Sequence, residues 1–155
     1  MLDFLLVSES VSLQKLARAM WRLVNATRAN PRYRAETGGR ARPLKWNARL
    51  AHVARAHSEY MRQRQELTHL GPHGWTPGQR MRHAGLDWSA YAENVALANG
   101  IRDAMRLFMG EPPFQPNHRA NILSPRYTEI GIGIVHAPHG QIYITQDFRH
   151  PPQES

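Results

Sequence analysis

The chain has 155 residues, enough for one domain that buries roughly two-thirds of its unfolded surface. Hydrophobic residues make up 41% of it, far above the disordered range, and the absence of cysteine excludes disulfides and thiolate metal sites without deciding the compartment. The net charge is +8, and 18 of the 20 basic residues are Arg, a balance that suits anionic partners such as nucleic acid, phospholipid head groups or acidic cell-wall polymer. The arginines are scattered with no aromatic-interleaved stripe, so they are expected along solvent faces, and nucleic acid is not an expected partner.

Residues 1–10 are an N-terminal segment, 11–150 the domain and 151–155 a frayed tail. The opening stretch carries Asp3 and no basic flank, and its apolar run is too short for a signal peptide or a membrane span. No transmembrane segment is expected. A first helix is predicted from an N-cap at Ser12 to Ala29, because Leu13, Leu16, Ala17, Met20, Leu23 and Val24 recur at helical spacing; Pro31 ends it. The sequon at Asn25 falls inside this helix and is treated as chance. Residues 32–43 are polar and Arg-rich and read as a surface loop. A second helix should run from an N-cap at Asn47 to about Gln65, with an apolar stripe of Leu50, Val53, Ala54, His57 and Met61. Thr76-Pro77 starts a short helix closed by Gly85.

Tyr91–Ala98 is apolar and compact, and is either a buried strand or a helix start. Ile101–Met109 is helical and stopped by Gly110, Pro112 and Pro113; Asn117 caps one more short helix ended by Ser124-Pro125. The last part changes period. Thr128–Val135 and Gln141–Phe148 alternate and flank a turn at Pro138, His139 and Gly140, which predicts a β-hairpin. Gly131 and Gly133 share one face of it and leave room for a neighbouring element.

Four ionisable residues stand at the edges of these segments: His69, Glu93, Glu111 and His118. Two imidazoles and two carboxylates are the groups that hold zinc or move protons near neutral pH, although their spacing matches no local metal motif. Carboxylates beside the imidazoles would raise the histidine pKa values by favouring the charged form. His57 reads as a core histidine, and Ser58 beside it cannot form a dyad because adjacent helix residues face different directions. Trp46 and Phe108 read as core packing and Gln146 as a structural residue beneath the site. Arg119 and Asn121 should bond backbone near the tetrad, and His136, His139 and His150 lie on the surface.

In this order the segments resemble the CAP superfamily (cysteine-rich secretory, antigen 5 and pathogenesis-related-1 proteins), most closely its cysteine-free bacterial SCP-like branch. The matching stretches are Asn25–Arg28, Pro43–Asn47, Leu50, Ala54, His57-Ser58, Met61, Thr68-His69, Arg80, Gly85, Glu93–Ala96, His118–Leu123, Ile130–Gly133 and Tyr143–Phe148. The resemblance implies an α+β fold: a single three-layer α-β-α sandwich with a central antiparallel sheet and a cleft on one side. In that family two His and two Glu line the cleft, and some members hold a divalent metal, often zinc, between the histidines. Carried over, the tetrad is His69, Glu93, Glu111 and His118, with His69 and His118 as the metal ligands. Glu111 is placed by Phe108, which occupies the site of a family aromatic; the link from Gly110 to Asn117 is longer than in many relatives. His73, where many bacterial relatives have Asp, adds a fifth candidate ligand.

The expected role is a ligand-binding domain without an assigned catalytic residue, monomeric, and extracellular or in the cell envelope. Its ligand would be lipid-like or cell-wall-derived. A metal-assisted peptidase is the alternative, but the chain contains no nucleophile elbow, HExxH helix or oxyanion loop.

Overall fold

The computed structural model describes the backbone of residues 2–153 and the side chains of residues 9–153. The expected hairpin forms strands β3 (Glu129–His136) and β4 (Ile142–His150), paired antiparallel from Glu129↔Arg149 to His136↔Ile142. Tyr91–Ala98 resolves as a strand, β2 (Ala90–Ala98), antiparallel to β4. A two-residue strand that the sequence reading missed, β1 (Lys45–Trp46), pairs parallel with Glu129 and Ile130 of β3. The sheet order is β1-β3-β4-β2, so β2 is an edge and presents one unpaired side.

Strand periodicity sorts the side chains onto two faces. Ala92, Ala96 and Ala98, Ile130, Ile132 and Ile134, and Ile142, Ile144 and Phe148 face one core. Helices α1 (Leu2–Ala29), α5 (Ile101–Met109) and α6 (His118–Leu123) cover it with Ala17, Met20, Val24, Met105, Phe108, Ile122 and Leu123. On the other face Val95, Leu97, Val135 and Tyr143 meet Met61, and Tyr91 meets Leu50 and Met81. Those last partners come from α3 (Ala48–Arg64) and α4 (Pro77–His83). The three layers are therefore α, β, α.

Helix α3 follows the expected text: Asn47 Oδ1 accepts from the Leu50 amide at 3.0 Å, and all five stripe residues are buried. It also explains the paired glycines. A Cβ on Gly131 would collide with the backbone of Leu50 and Ala51, and one on Gly133 with that of Ala54 and Arg55. The helix thus lies directly on the strand, closer than any side chain would allow.

Two expectations are corrected. Helix α1 starts at Leu2, so Ser12 is an interior helical residue and not a cap; the stretch before it contains neither Gly nor Pro to stop the helix. The stretch after α1 is not a plain loop but a turn capped by Asn30 followed by the short helix α2 (Arg34–Thr37), in which Thr37 is buried. Asn25 is held by Leu44, accepting from its amide at 2.8 Å and donating to its carbonyl at 3.2 Å. The expected tail falls partly outside the described residues. Among the described residues no helix is long and apolar enough to cross a membrane.

Arg28 joins two helices of one layer, with no counter-ion among the described residues. It is buried and donates to the carbonyls of Arg42, Ile122 and Ser124 at 2.9, 2.9 and 2.7 Å, which fixes the C-terminal end of α6 on α1. Burial lowers its pKa to about 10, so it stays charged at neutral pH.

The close approach of α3 predicts that Gly133→Ala costs about 3 kcal/mol in denaturant unfolding. Gly140→Ala, where a Cβ meets nothing but φ is +75°, should cost about 1 kcal/mol, so equal losses would show that helix contact is not what selects glycine.

Candidate functional site

Glu93 projects from β2 toward α3 and α4, on the face opposite its neighbour Asn94. Its side chain is 1% exposed yet ionisable, and donors from two residues converge on it. Arg80 Nη2 reaches its Oε1 and Oε2 at 3.1 and 2.9 Å, and His69 Nδ1 lies 3.0 Å from Oε1. The Asp147 carboxyl stands opposite Glu93 in strand register. Arg80 arrives on α4, whose start is fixed by a capping box between Thr76 and Gln79.

His69 sits on the loop after α3, which ends at Gln65 in the left-handed conformation (φ +52°). Two buried side chains hold that loop from below. His57 Nε2 lies 2.6 Å from the Thr68 carbonyl and so donates to it, and Arg80 Nη2 donates to the His69 carbonyl at 2.9 Å. His57 is therefore the expected core histidine, but it also supports the site. Burial, and then the Arg80 charge, lower its pKa to about 4, and it remains neutral at physiological pH. Its distance to Glu93 Oε1, 3.7 Å, is too long for a hydrogen bond.

The second pair is built differently. Glu111 Oε1 accepts from the His118 and Arg119 amides at 2.8 and 3.3 Å, at the start of α6, while Asn117 caps the Ala120 amide. Its Oε2 accepts from His118 Nδ1 at 2.8 Å. Burial works to raise the Glu111 pKa, but the His118 hydrogen bond and the two amides outweigh it and hold the carboxyl below its usual range. The His118 ring stacks on Phe108 with centroids 4.8 Å apart. Phe108 is thus core residue and ring support together.

The structure brings His69 onto Glu93 and His118 onto Glu111. It also hangs both pairs on consecutive residues of β2, because Asn94 Nδ2 donates to the His118 carbonyl at 3.2 Å. Each imidazole gives its Nδ1–H to a carboxylate and keeps Nε2 without a partner among the described residues. His73 does not join them; it is exposed, at φ +63°, and packs on Trp75. Among the described residues no group of three or more His, Cys, Asp or Glu is arranged around a metal position. What each half offers is one outward-facing imidazole nitrogen with a carboxylate behind the ring. A cavity of about 240 Å³ lies elsewhere, between α1 and α3 over Trp46 and Ile132, and none of the four residues lines it.

Other expectations need adjustment. The pKa of His69 is lowered, not raised: partial burial dominates and the Arg80 charge adds to it, together outweighing the opposing pull of Asp147. Arg119 does bond the Met109 carbonyl, at 2.7 Å, but it also forms a two-pronged ion pair with Glu36 of α2 at 2.8 and 2.7 Å. Asn121 donates to the Asn94 side chain, not to backbone, at 2.9 Å. Gln146 is structural, accepting from Asn94 at 3.0 Å, and Ser58 is fully buried, donating to the Gly133 carbonyl at 2.8 Å. His136 and His139 are exposed, whereas His150 is only partly so, with Nδ1 enclosed.

Arg80 and Asp147 belong to the site although the sequence reading assigned them no role. Their signal was weak: one is a basic residue on a short helix, the other a lone acid in an apolar strand. The His57 shift gives a test. The unfolded state binds a proton below pH 6.5 and the folded state only near pH 4, so this contribution is intact above 6.5 and lost as pH falls through that window. Relative to His57→Gln, the wild type should lose about 3 kcal/mol of unfolding free energy across it; parallel stability curves would show that His57 titrates normally.

Comparison with known proteins places this geometry. The model of the cysteine-rich secretory protein family, CAP, matches residues 21–148. The chain is 31% identical over 108 residues to the uncharacterized protein YkwD of Bacillus subtilis, aligning 69% of its own length and 39% of that protein's. An extracellular protein containing an SCP domain from Bacillus anthracis superposes with a TM-score of 0.71 at 22% identity, over 88% of this chain and 41% of that one. An outer surface protein from Borrelia burgdorferi gives the same TM-score of 0.71 at 14% identity, over 87% and 92%. The chain thus spans well under half of the first two relatives. With the family model covering most of the sequence and the fold shared with SCP domains, the chain belongs to the CAP family.

Proposed function

We propose that this CAP domain is a ligand-binding module working outside the cell or in its envelope, and that the ligand docks along the free edge of β2. A divalent ion such as zinc would be held there by Nε2 of His69 and Nε2 of His118, supplying a Lewis-acid contact to the ligand. The observation that carries the reading is the shared tautomer: both rings spend Nδ1–H on a glutamate and turn a lone pair outward. The lowered pKa keeps His69 neutral, the form that donates a lone pair. The ligand class is lipid-like or cell-wall-derived. The extracellular assignment draws on the SCP-domain relative from Bacillus anthracis.

Binding is favoured over hydrolysis by the state of the two carboxylates. Glu93 accepts from Arg80 and His69, and Glu111 from two amides and His118, so neither is a free base beside the histidines. Ser58, the nearest hydroxyl to a histidine in sequence, is buried and hydrogen-bonded.

Calorimetric titration with zinc should give one site per chain in the wild type and none in His69→Ala/His118→Ala. Glu111→Gln, which keeps an acceptor but loses the charge, should weaken binding by about 10- to 100-fold. Equal zinc uptake by wild type and the double variant would remove the site.

A further inference from the structure

Glu93 shares its buried face with a second carboxyl. Asp147 lies directly opposite it on β4, and the third position in that row, on β3, is Gly131. With no side chain at Gly131, α3 closes over the row, and Asp147 is 0% exposed. The ionisable groups around Asp147 are Glu93 from β2, His57 from α3 and Arg80 from α4. That makes two carboxyls against one guanidinium, because His57 has given its Nε2–H to Thr68 and is neutral. Arg80 spends its Nη2 on Glu93 and the His69 carbonyl. Among the described residues neither oxygen of Asp147 meets an N–H or hydroxyl donor. A carboxylate in that position would be a buried, uncompensated charge, which proteins avoid by keeping the proton.

We propose that Asp147 is carried through neutral pH as the uncharged acid and donates its proton to Glu93, which makes it the positioning residue for the carboxylate beneath His69. The inference concerns the support of the site and does not rest on any ligand at His69. Charge counting then closes: Glu93 balances Arg80, while Asp147 and His57 are neutral. Burial pushes both carboxyls upward, Asp147 well above the ordinary range, and the donors gathered on Glu93 decide that the proton stays on Asp147. A second anion behind Glu93 would pull a proton onto the His69 ring and remove its lone pair from use.

The test uses the metal-free protein and three readouts. The side-chain carboxyl carbon of Asp147, assigned by its absence in Asp147→Asn, should keep the chemical shift of a protonated acid at pH 7; an ionised shift overturns the proposal. Folding should take up one proton at Asp147 above its unfolded pKa near 3.8, so the wild type loses stability with rising pH relative to Asp147→Asn. Between about pH 5 and 8 the ratio of their unfolding constants should rise by up to tenfold per pH unit, and a flat ratio overturns the proposal. Asparagine still donates a hydrogen bond to Glu93, so the ¹⁵N shift of His69 Nδ1–H should be wild-type-like in Asp147→Asn and displaced in Asp147→Leu. Identical shifts in Asp147→Leu and wild type would show that Asp147 fills space only.

Discussion

The site depends on one buried carboxylate. Glu93 is the point at which four separate parts of the chain meet: β2 carries it, α4 brings Arg80, the loop after α3 brings His69, and β4 brings Asp147. A carboxylate that leaves water must be paired and hydrogen-bonded, or it takes up a proton. Here Arg80 supplies the charge, and the remaining acceptor capacity is filled by groups whose positions then become fixed. The energetic demand of burying one anion is what orders an otherwise exposed loop. The His69 side chain is 52% exposed while its anchor is 1% exposed, so a solvent-facing ring inherits the rigidity of the core.

Glu111 reaches the same result by other means. It stays partly exposed, and its charge is stabilised by the amides at the start of α6 and by His118. The two histidines therefore point equivalent nitrogens outward although one acid is desolvated and the other lies at a helix terminus. What they share is β2. Glu93 and Asn94 project to opposite faces, so the strand ties one pair to the α3 and α4 layer and the other to the α5 and α6 layer. Only an edge strand can do this, because only there can both layers reach around the sheet to a common side.

Much of the fold is legible in the sequence because its signals are local. The α3 cap and stripe, the Thr76-Pro77 start, the hairpin and the glycine pair each lie within a few residues of the structure they specify. The tetrad is placed by family text, and the structure pairs His69 with Glu93 and His118 with Glu111, partnerships the sequence left unassigned. The misses share a physical cause. β1 consists of two residues whose pairing is parallel and distant, which leaves no period to detect. α2 is four residues long and held by the ion pair of Glu36 with Arg119, far along the chain. Asp147 stands opposite Glu93 only once the register of β2 on β4 is known. The sign of the His69 shift was missed for the same reason, since it depends on Arg80 from another element.

The excess of arginine is partly structural. Arg28, Arg80 and Arg149 are all less than one-tenth exposed, and Arg119 is a partly buried ion pair. Arg28 ties α1 to the end of α6, Arg119 ties α2 to its start, Arg80 ties α4 to β2, and Arg149 bridges Glu129 on β3 and the Asp87 carbonyl. In a chain without disulfides these contacts cross-link segments far apart in sequence, and each uses the guanidinium to bond two or more acceptors at once. Lysine, a single point donor on a flexible stem, could carry the charge but not that geometry. A solvent-face reading of the arginines therefore holds for many of them and fails for the four that position the site and its scaffold.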